Sequence, residues 1–312
     1  MYEQFQQKQP VQIAEKYFDM CFELASRKLD PDENINLSQF TKMFITSGST
    51  YIQEFKKNAF VQRHVPLVEK ILEFGTGTKI LDAGCGLGYD SIFYALLDAE
   101  VVGVDLSKNR LAVASYLKKI FEKEYPRLNV EFHYRDIFTF LEDNRDRFAK
   151  FFDVIWLTEA ISHIHPMEKF FEMIKQYLSP RGLLAISEGN MLNPINYLRN
   201  KQGISKASKS RGGALEKKAD DYYLHLKDYK DPVSGKEVLV ADERAMTPIQ
   251  MKRKLELFGY EVQKCHFRTY LPSLAVKYAG IKTVRAAEAI LQRLPIIKYA
   301  ATRYIIYATP KN

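Results

Sequence analysis

Three glycines and a carboxylate are the residues whose spacing suggests chemistry. Gly84, Gly86 and Gly88 alternate directly after the apolar stretch 79–83, which predicts a buried strand. A strand that runs into a glycine turn and then a helix brings bare backbone close to a ligand, because the missing side chains allow tight dihedral angles. About twenty residues later a second predicted strand ends at Asp105, whose carboxylate can accept both hydrogen bonds of a ribose diol. The pattern predicts a site for a cofactor that contains adenosine.

The order of these glycines separates two cofactor classes. The dinucleotide fingerprint is Gly-x-Gly-x-x-Gly, whereas residues 82–88 have the order Asp-x-Gly-x-Gly-x-Gly. This order resembles motif I of the class I S-adenosylmethionine-dependent methyltransferases. The resemblance continues through Asp105, Asp136, the segment 159–163 and the last predicted strand. It implies S-adenosylmethionine as the cofactor and S-adenosylhomocysteine (SAH) as the product.

The resemblance also assigns individual residues to the cofactor. In the family, the acidic residue after the third strand hydrogen-bonds the adenine amino group, and the next backbone N–H meets a ring nitrogen, which places Asp136 and Ile137 at the adenine. An aspartate at this position could instead cap the helix that follows. The full set of residues assigned to the cofactor is Asp82, Gly84, Cys85, Gly86, Gly88, Asp105, Leu106, Asp136, Ile137, Thr158 and His163.

Catalysis of methyl transfer is expected to depend mainly on positioning. An acceptor held in line with the carbon–sulfur bond can gain on the order of 7–11 kcal/mol from a near-attack geometry. A hydroxyl or amine acceptor would also use a base, and the candidates are His163, Glu159 and His165. His163 can alternatively be a buried structural histidine, and Glu159 can fix its loop. His165 directly precedes Pro166, a favoured first residue of a helix.

Three charged residues near the glycine turn receive structural interpretations. Asp90 lies in the first turn of the predicted helix after the glycines, where a carboxylate satisfies unpaired N–H groups. Arg63 and His64 directly precede a helix that is predicted to begin at residue 65. An exposed position is expected for both.

The elements that must position these residues alternate between strand and helix patterns. An alternating pattern predicts an α/β fold. The resemblance implies a Rossmann-like sheet of seven strands, mostly parallel with the last strand antiparallel, and helices on both faces. In such a sheet ligands bind outside the carboxyl ends of the strands, so the methyl donor and acceptor should meet there. The predicted strands are 79–83, 100–105, 129–134, 152–157, 182–187, 260–268 and 304–309.

Segments outside this sheet predict additional parts. Residues 1–70 are predicted to form an N-terminal helical lid or cap, with plain core packing or a dimer face as alternatives. Residues 71–189 and 246–312 are predicted to form the cofactor-binding core. Residues 190–245 are an insertion after the fifth strand, and 271–302 are a smaller basic helical insertion within the core.

Each insertion allows a functional and a structural interpretation. The stretch 201–218 of the first insertion is basic and rich in glycine and serine, which indicates either a solvated loop or, as we favour, a flap over an acidic or phosphorylated acceptor. The second insertion combines basic residues with Ile290, Leu291, Ile296 and Ile297. Core packing of this apolar face is the preferred interpretation, and peripheral membrane contact is the alternative.

Composition limits the remaining classes. The 312 residues include 46 Lys and Arg against 38 Asp and Glu, a net charge of +8, which can steer an anionic partner without identifying it. Cys21, Cys85 and Cys265 show no ligand spacing, so we expect no metal site and a reduced, cytoplasmic protein. No apolar run approaches the ~18 residues that cross a bilayer.

Exclusion of other acceptors leaves a small molecule, acidic or lipid-linked, with oxygen ahead of nitrogen as the acceptor atom. The sequence lacks the Asn-Pro-Pro-aromatic and Pro-Cys signatures of DNA methylation, so DNA is not expected. An RNA methyltransferase that uses the basic insertions is the first rival, although no RNA-binding module is appended. A catalytically silent cofactor-binding or scaffold protein is the second rival. A homodimer stays open.

Overall fold

The computed structural model describes residues 9–27, 35–45, 49–198, 216–217, 223–243 and 246–311. The chain divides into two compact units. The first comprises Met1–Tyr134 with Leu271–Ile290, and the second comprises Arg135–Tyr270 with Leu291–Asn312. The predicted boundaries of lid, core and insertions stay predictions.

Three helices with aromatic buried faces open the first unit. They are α1 (Pro10–Ser26), α2 (Ser38–Phe44) and α3 (Thr50–Phe74). The Tyr17 ring of α1 stacks on Phe93 with 4.5 Å between ring centroids. Its hydroxyl donates to the backbone carbonyl of Tyr89 over 2.5 Å. Helix α1 is thereby fixed against the segment that follows the glycine turn.

Helix α3 is one continuous helix from Thr50 to Phe74. It continues through Pro66, so the predicted helix start at residue 65 is wrong. Buried side chains recur along the helix from Phe60 through His64 to Ile71. Packing of this face offsets the backbone hydrogen bond that a proline inside a helix cannot donate.

Three parallel strands form the rest of the first unit's framework. In chain order the elements are β1 (Lys79–Ala83), α4 (Tyr89–Ala95), β2 (Glu100–Asp105), α5 (Lys108–Glu124) and β3 (Val130–Tyr134). β1 pairs with β2 so that Asp82 lies opposite Gly103, and β2 pairs with β3 so that Asp105 lies opposite Tyr134. This register places the glycine turn and Asp105 at the same edge of the sheet.

The second unit begins with two short helices and two parallel strands. The elements are α6 (Ile137–Asp143), α7 (Arg145–Phe148), β4 (Phe152–Thr158), α8 (Met167–Ile174) and β5 (Leu178–Gly189). β4 pairs with β5 so that Thr158 lies opposite Ser187. Trp156 is fully buried on β4 and belongs to the core. The ends of both strands carry the acidic residues described below.

The insertion after β5 contains a small antiparallel sheet that the sequence analysis did not predict. Its strands are β6 (Glu216–Lys217), β7 (Tyr223–Lys230) and β8 (Glu237–Glu243), in that order. A turn at Asp231 joins β7 to β8. The basic stretch 201–218, for which a flap was predicted, lies outside the described residues except for 216–217.

The remaining elements are α9 (Pro248–Leu257), β9 (Tyr260–Arg268), α10 (Ser273–Leu291), a 3-10 helix (Ile297–Ala300) and β10 (Arg303–Pro310). A reciprocal pair of hydrogen bonds between Thr247 and Gln250 forms a capping box at the start of α9. Helix α10 is kinked at Gly280. Its residues up to 290 belong to the first unit.

Helix α10 docks on α1 and α3 through charged residues within the first unit. The Glu288 side chain is buried and accepts a hydrogen bond from Asn58 Nδ2 over 3.3 Å. Arg285 donates to Asn58 Oδ1 over 2.9 Å and to Glu15 Oε1 over 2.8 Å. These contacts attach a segment from the second half of the chain to the N-terminal helices.

The seven-stranded sheet has the strand order β3-β2-β1-β4-β5-β10-β9. Strand β10 pairs antiparallel with both β5 and β9. The predicted Rossmann-like, mostly parallel sheet with an antiparallel last strand is confirmed. No helix in the described part of the chain is long and apolar enough to cross a membrane.

Candidate functional site

Hydrogen bonds within the first unit fix the backbone of the glycine turn after β1. Gly84 N and Cys85 N donate to Val104 O over 2.8 and 3.1 Å. Gly86 N donates to Asp105 Oδ2 over 2.9 Å. The three glycines of the turn have φ angles of 82°, 53° and 70°, a region that side chains disfavour. The turn is therefore tied to the end of β2 before any ligand binds.

The three glycines differ in what surrounds them. A Cβ on Gly88 would lie 2.5 Å from Ala114 Cβ and 2.7 Å from Phe132 Cζ, so this glycine lets α5 and β3 pack closely. A Cβ on Gly86 would meet nothing nearer than the Arg110 side chain at 3.9 Å. Gly84 is exposed. The first two glycines thus leave open backbone surface that a ligand can approach.

Asp105 holds the glycine turn as well as ending β2. Its Oδ1 accepts from Ser107 N over 2.7 Å, while its Oδ2 accepts from Gly86 N. Ser107 in turn caps α5, and Leu106 between them is half-buried. A carboxylate has about four acceptor positions, and the ribose role of the half-buried Asp105 stays a prediction. The sequence analysis predicted the ribose role and missed the loop-holding role.

The side chains of Asp82 and Cys85 are more buried than is expected for residues that contact a ligand directly. Asp82 is 2% exposed and accepts a 2.5 Å hydrogen bond from Ser91 Oγ. Burial, with a further contribution from nearby Asp90, raises the pKa of Asp82 to about 8. Burial also raises the pKa of the Cys85 thiol. Their assignment to the cofactor stays a prediction, and both contribute packing beneath the turn.

A buried ionic cluster lies behind the glycine turn in the first unit. His64 is fully buried, with Nδ1 2.8 Å from Phe60 O and Nε2 2.8 Å from Asp90 Oδ1. Arg63 reaches the same Asp90 oxygen over 3.5 Å. The expected exposure of Arg63 and His64 is wrong, because α3 continues past residue 65 and turns this face toward α4. Asp90 lies in the first turn of α4, as predicted, and also anchors α3.

Asp136 in the second unit caps α6 with one oxygen. Its Oδ1 accepts from Phe138 N and Thr139 N over 3.0 and 3.1 Å. The capping role that the sequence left as an alternative is therefore present. The adenine role of Asp136 and Ile137 stays a prediction that would use the backbone of Ile137 and the second Asp136 oxygen. Both residues are buried.

The insertion hairpin reaches this same loop through Asp231. The Asp231 carboxylate is fully buried and accepts from Asp136 N over 2.7 Å, from Thr139 Oγ1 over 3.0 Å and from Ser234 N over 2.8 Å. Arg135 Nε lies 3.3 Å away. Burial alone would raise the pKa of Asp231, but these hydrogen bonds hold it well below its ordinary range. Sequence reasoning could find the Asp-Pro-x-Ser-Gly turn and could not find its distant partner.

Comparison with known proteins decides which cofactor class applies. A family model described as a methyltransferase domain matches residues 75–228. Ubiquinone biosynthesis O-methyltransferase of Rattus norvegicus is 33% identical over 115 residues, which are 37% of this chain and 32% of that protein. Phosphoethanolamine N-methyltransferase 1 of Arabidopsis thaliana is 29% identical over 219 residues, which are 68% of this chain and 39% of that protein. The chain spans about a third of the length of these curated relatives.

A solved structure shares the fold. Magnesium protoporphyrin IX methyltransferase from Synechocystis PCC 6803, which carries bound SAH, aligns with a TM-score of 0.50 over 88% of this chain and 94% of that chain, at 12% identity. The chain belongs to the class I S-adenosylmethionine-dependent methyltransferases. S-adenosylmethionine is the cofactor of this family, and the predicted recognition from motif I is confirmed.

Features of each unit of this methyltransferase fit that cofactor. In the first unit the backbone at Gly84 and Gly86 is open. In the second unit Thr158 Oγ1 at the end of β4 is buried and has no hydrogen-bond partner among the described residues. A buried hydroxyl of this kind favours a ligand or a water as its partner. The assignment of individual residues to the cofactor stays a prediction.

The segment after β4 is held to the ends of its neighbouring strands. Glu159 has a φ of 51° and its backbone N donates to Ser187 O over 2.9 Å. Its carboxylate forms an ion pair with Arg303 at the start of β10. Of the two roles predicted for Glu159, this pair supports the loop-fixing one. Its catalytic role stays a prediction.

The two candidate histidines of this segment differ in exposure. His163 is exposed and its backbone N closes a turn onto Ala160 O over 2.9 Å, so the alternative of a buried structural histidine is wrong. His165 is half-buried and joins Pro166 through a cis peptide bond. Pro166 occupies the N-cap position of α8, so the helix begins at Met167, one residue later than predicted. The catalytic roles of both histidines stay predictions.

Glu188 is a candidate that the sequence analysis missed. It is the penultimate residue of β5, is only 9% exposed, and accepts a hydrogen bond from Ser162 N over 3.3 Å. Burial raises its pKa to about 7, against opposing hydrogen bonds from the backbone of Ser162 and Gly189. A buried carboxyl at a strand's carboxyl end with a pKa near neutrality is typical of a general base. The available signal was an acidic residue directly after an apolar strand.

Metal ligands are not grouped in the part of the chain that the structure describes. No set of three or more His, Cys, Asp or Glu side chains there could hold an ion. Cys21, Cys85 and Cys265 are free thiols.

Proposed function

We propose that this methyltransferase transfers the methyl group of S-adenosylmethionine to an oxygen atom of a small molecule. The observation that supports removal of a proton from the acceptor is Glu188, a buried carboxyl whose pKa is raised to about 7. A base with a pKa near the working pH can remove a hydroxyl proton as the oxygen attacks. The O-methyltransferase name of the rat relative supports the same acceptor atom.

The residues of the chain have two tasks in this reaction. Bound S-adenosylmethionine supplies a methyl group that a positively charged sulfur already activates. The chain must hold the acceptor in line, which contributes on the order of 7–11 kcal/mol, and must remove the acceptor's proton. Glu188 takes that proton, and the Ser162 N–H at 3.3 Å keeps its carboxylate oriented. His163 is the alternative base, and its exposure makes it less suited to a site that excludes water.

Nitrogen is the second candidate acceptor atom. The Arabidopsis relative, which aligns over 68% of this chain, carries an N-methyltransferase name. An amine that enters as an ammonium ion must also lose a proton before it attacks, so Glu188 would serve either acceptor. The atom is therefore decided by product analysis and not by the effect of a mutation.

The first test separates cofactor binding from turnover. Titration calorimetry measures S-adenosylmethionine binding, and SAH formation is then followed with phenols, hydroxy acids and phosphorylated amines as acceptors. We expect micromolar binding, turnover with a hydroxyl compound, and an O-methyl signal in the product's NMR spectrum. Binding without turnover on any acceptor would favour the catalytically silent alternative. Absence of binding would overturn the cofactor assignment.

The variant Glu188→Gln tests the base. We expect kcat to fall about 100- to 10,000-fold with unchanged affinity for S-adenosylmethionine. Wild-type activity should rise as pH increases through about 7, because the base acts in its ionised form, and the variant should lack this rise. His163→Ala is the control. If it removes activity while Glu188→Gln retains it, His163 is the base and this role for Glu188 is wrong.

The raised pKa of Glu188 also affects the free energy of unfolding. The carboxyl titrates near 4.5 when unfolded and near 7 when folded, so its contribution is complete below about pH 4.5 and is lost as pH rises through about 7. The glutamine of Glu188→Gln does not ionise, so the variant does not lose stability in this way as pH rises. The loss in the wild type amounts to about 3 kcal/mol at most. Urea unfolding at pH 5 and pH 8 measures it. A stability difference between variant and wild type that does not grow with pH would contradict the assignment.

A further inference from the structure

Three asparagines of the second unit join two segments that are distant in sequence. Asn190, Asn193 and Asn196 follow β5 at intervals of three residues. Their side-chain amides donate hydrogen bonds of 2.6–2.8 Å to the consecutive backbone carbonyls of Tyr299, Ala300, Ala301 and Thr302. Asn190 and Asn193 are buried, so this asparagine clamp is a fixed part of the fold. It holds residues 190–198 beside the 3-10 helix that precedes β10.

The clamp gathers exposed apolar side chains from both segments. We call the following six residues the clamped surface: Leu192, Ile195, Leu198, Leu294, Ile296 and Ile297. Each is between 37% and 86% exposed, and Ile296 is the most exposed. Ile195 and Leu198 lie three residues apart in the helical residues 194–198, which keeps them on one side of that stretch, and Leu192 lies in the turn before it. Exposed large apolar residues normally occur singly, so six of them on two segments that are hydrogen-bonded to each other indicate an interaction surface.

This exposure corrects an expectation. The sequence analysis preferred core packing for the apolar residues of the second insertion. Ile290, Ile296 and Ile297 are instead 61%, 86% and 44% exposed. The buried positions of α10 are Val276, Val284 and Glu288, so the packed face of that helix excludes Ile290.

The two described segments that carry the clamped surface contain no acidic residue. Residues 190–198 and 291–303 lack Asp and Glu, whereas the second segment contains the basic residues Arg293, Lys298 and Arg303. Arg293 is exposed beside Leu294, and Tyr197 adds an aromatic ring that is 54% exposed. Aliphatic, aromatic and basic side chains on segments that contain no acidic residue match the interface of an anionic bilayer. A nucleic acid would use the basic groups but would leave the isoleucines and leucines without apolar contacts.

The position of this surface relates it to the chemistry. Glu188 lies two residues before Asn190, and Arg303, which pairs with Glu159, directly follows the last carbonyl of the clamp. Both belong to the second unit. We propose that the clamped surface seats the protein on the surface of a bilayer that contains anionic lipid, and that the methyl acceptor is drawn from that bilayer. The origin of the methyl acceptor rests on the proposed function, whereas membrane binding does not depend on it.

Vesicle binding by the full chain tests the surface. Flotation with phosphatidylcholine vesicles is compared with flotation on vesicles that also contain phosphatidylserine. We expect binding to the anionic vesicles that weakens as salt increases, because headgroup attraction is screened. Ile296→Glu should reduce this binding at least tenfold. Leu257→Glu is the matched control, since Leu257 is 81% exposed on α9 and lies outside the clamped surface; it should bind as the wild type does.

Three outcomes would overturn the membrane assignment. The first is no flotation with either vesicle type. The second is equal loss in Ile296→Glu and Leu257→Glu. The third is a tRNA gel shift or a dimer in sedimentation that Ile296→Glu abolishes while vesicle binding is absent, which would assign the surface to RNA or to a second copy of the chain. Circular dichroism confirms that the variants fold. Calorimetry with S-adenosylmethionine on the same preparations shows separately whether the proposed function fails.

Discussion

Two strand-end loops carry acidic residues that the methyltransferase resemblance assigns to the cofactor, and they are fixed in different ways. In the first unit, the glycine turn is held by Asp105, which lies 19 residues from its partner Gly86. In the second unit, the loop at Asp136 is held by Asp231, which is 95 residues away and belongs to an insertion. The first loop is built by its own motif, whereas the second needs a part of the chain that the minimal fold lacks. The two loops therefore differ in whether their own motif is enough to hold them.

The largest effect is expected at the glycine that packs the first loop. Gly88→Val places side-chain atoms against Ala114 and Phe132, where even a Cβ would lie at 2.5 and 2.7 Å. Overpacking costs about 1–3 kcal/mol, and the positive φ adds about 1–2 kcal/mol. Urea unfolding should show a loss of about 3 kcal/mol or more. Gly86→Ala is the matched control because its Cβ has space. It should lose only about 1 kcal/mol of stability, and equal losses would contradict the distinction.

The second largest effect is expected at the distant anchor of the Asp136 loop. Asp231→Asn removes the negative charge of a fully buried carboxylate that accepts several hydrogen bonds. Hydrogen bonds to a charged group contribute about 1.5–3 kcal/mol each to stability. We expect a stability loss of about 2 kcal/mol and faster amide exchange at the start of α6. Affinity for S-adenosylmethionine should fall while kcat at saturation is retained, because the loop is loosened and no reacting group is removed.

Asp228→Asn is the control for that experiment. Asp228 lies on the neighbouring strand β7 and is exposed, so the same chemical change there should leave stability within about 0.5 kcal/mol. If Asp231→Asn changed the free energy of unfolding as little as Asp228→Asn does, the insertion would not support the Asp136 loop. The contrast between the two loops would then disappear.

The difference in construction explains what could be predicted from sequence. The glycine turn, Asp105 and the strands that place them follow local patterns, and their positions agree with the prediction. Asp231, the asparagine clamp and the buried pair of His64 with Asp90 could not be predicted, because each joins residues that are 26 to 111 positions apart. No periodicity encodes such partners. Glu188 lies between these cases, since its strand was predicted and its raised pKa depends on burial that only tertiary packing creates.

A smaller effect is expected at Asp105 itself, where two roles must be separated. Asp105→Ala removes the acceptors of both Gly86 N and Ser107 N together with the proposed ribose contact. We expect affinity for S-adenosylmethionine to fall at least tenfold, about 1.4 kcal/mol. Asp105→Asn keeps one acceptor oxygen for the loop. If Asp105→Asn binds as weakly as Asp105→Ala but unfolds as the wild type does, the ribose contact is the main role. Recovery of both affinity and stability in Asp105→Asn would make Asp105 a loop residue only.

The smallest effect tests a third strand-end loop, after β4, against the other two. Glu159 pairs with Arg303, 144 residues away, so by sequence distance this loop resembles the Asp136 loop. The pair is half-exposed, however, with side chains 40% and 50% accessible, and exposed ion pairs contribute about 1 kcal/mol or less. Glu159→Gln should therefore change the free energy of unfolding by less than that, and the change should shrink further in high salt. A loss as large as that of Asp231→Asn would show that sequence distance, and not burial, decides how strongly an anchor holds its loop.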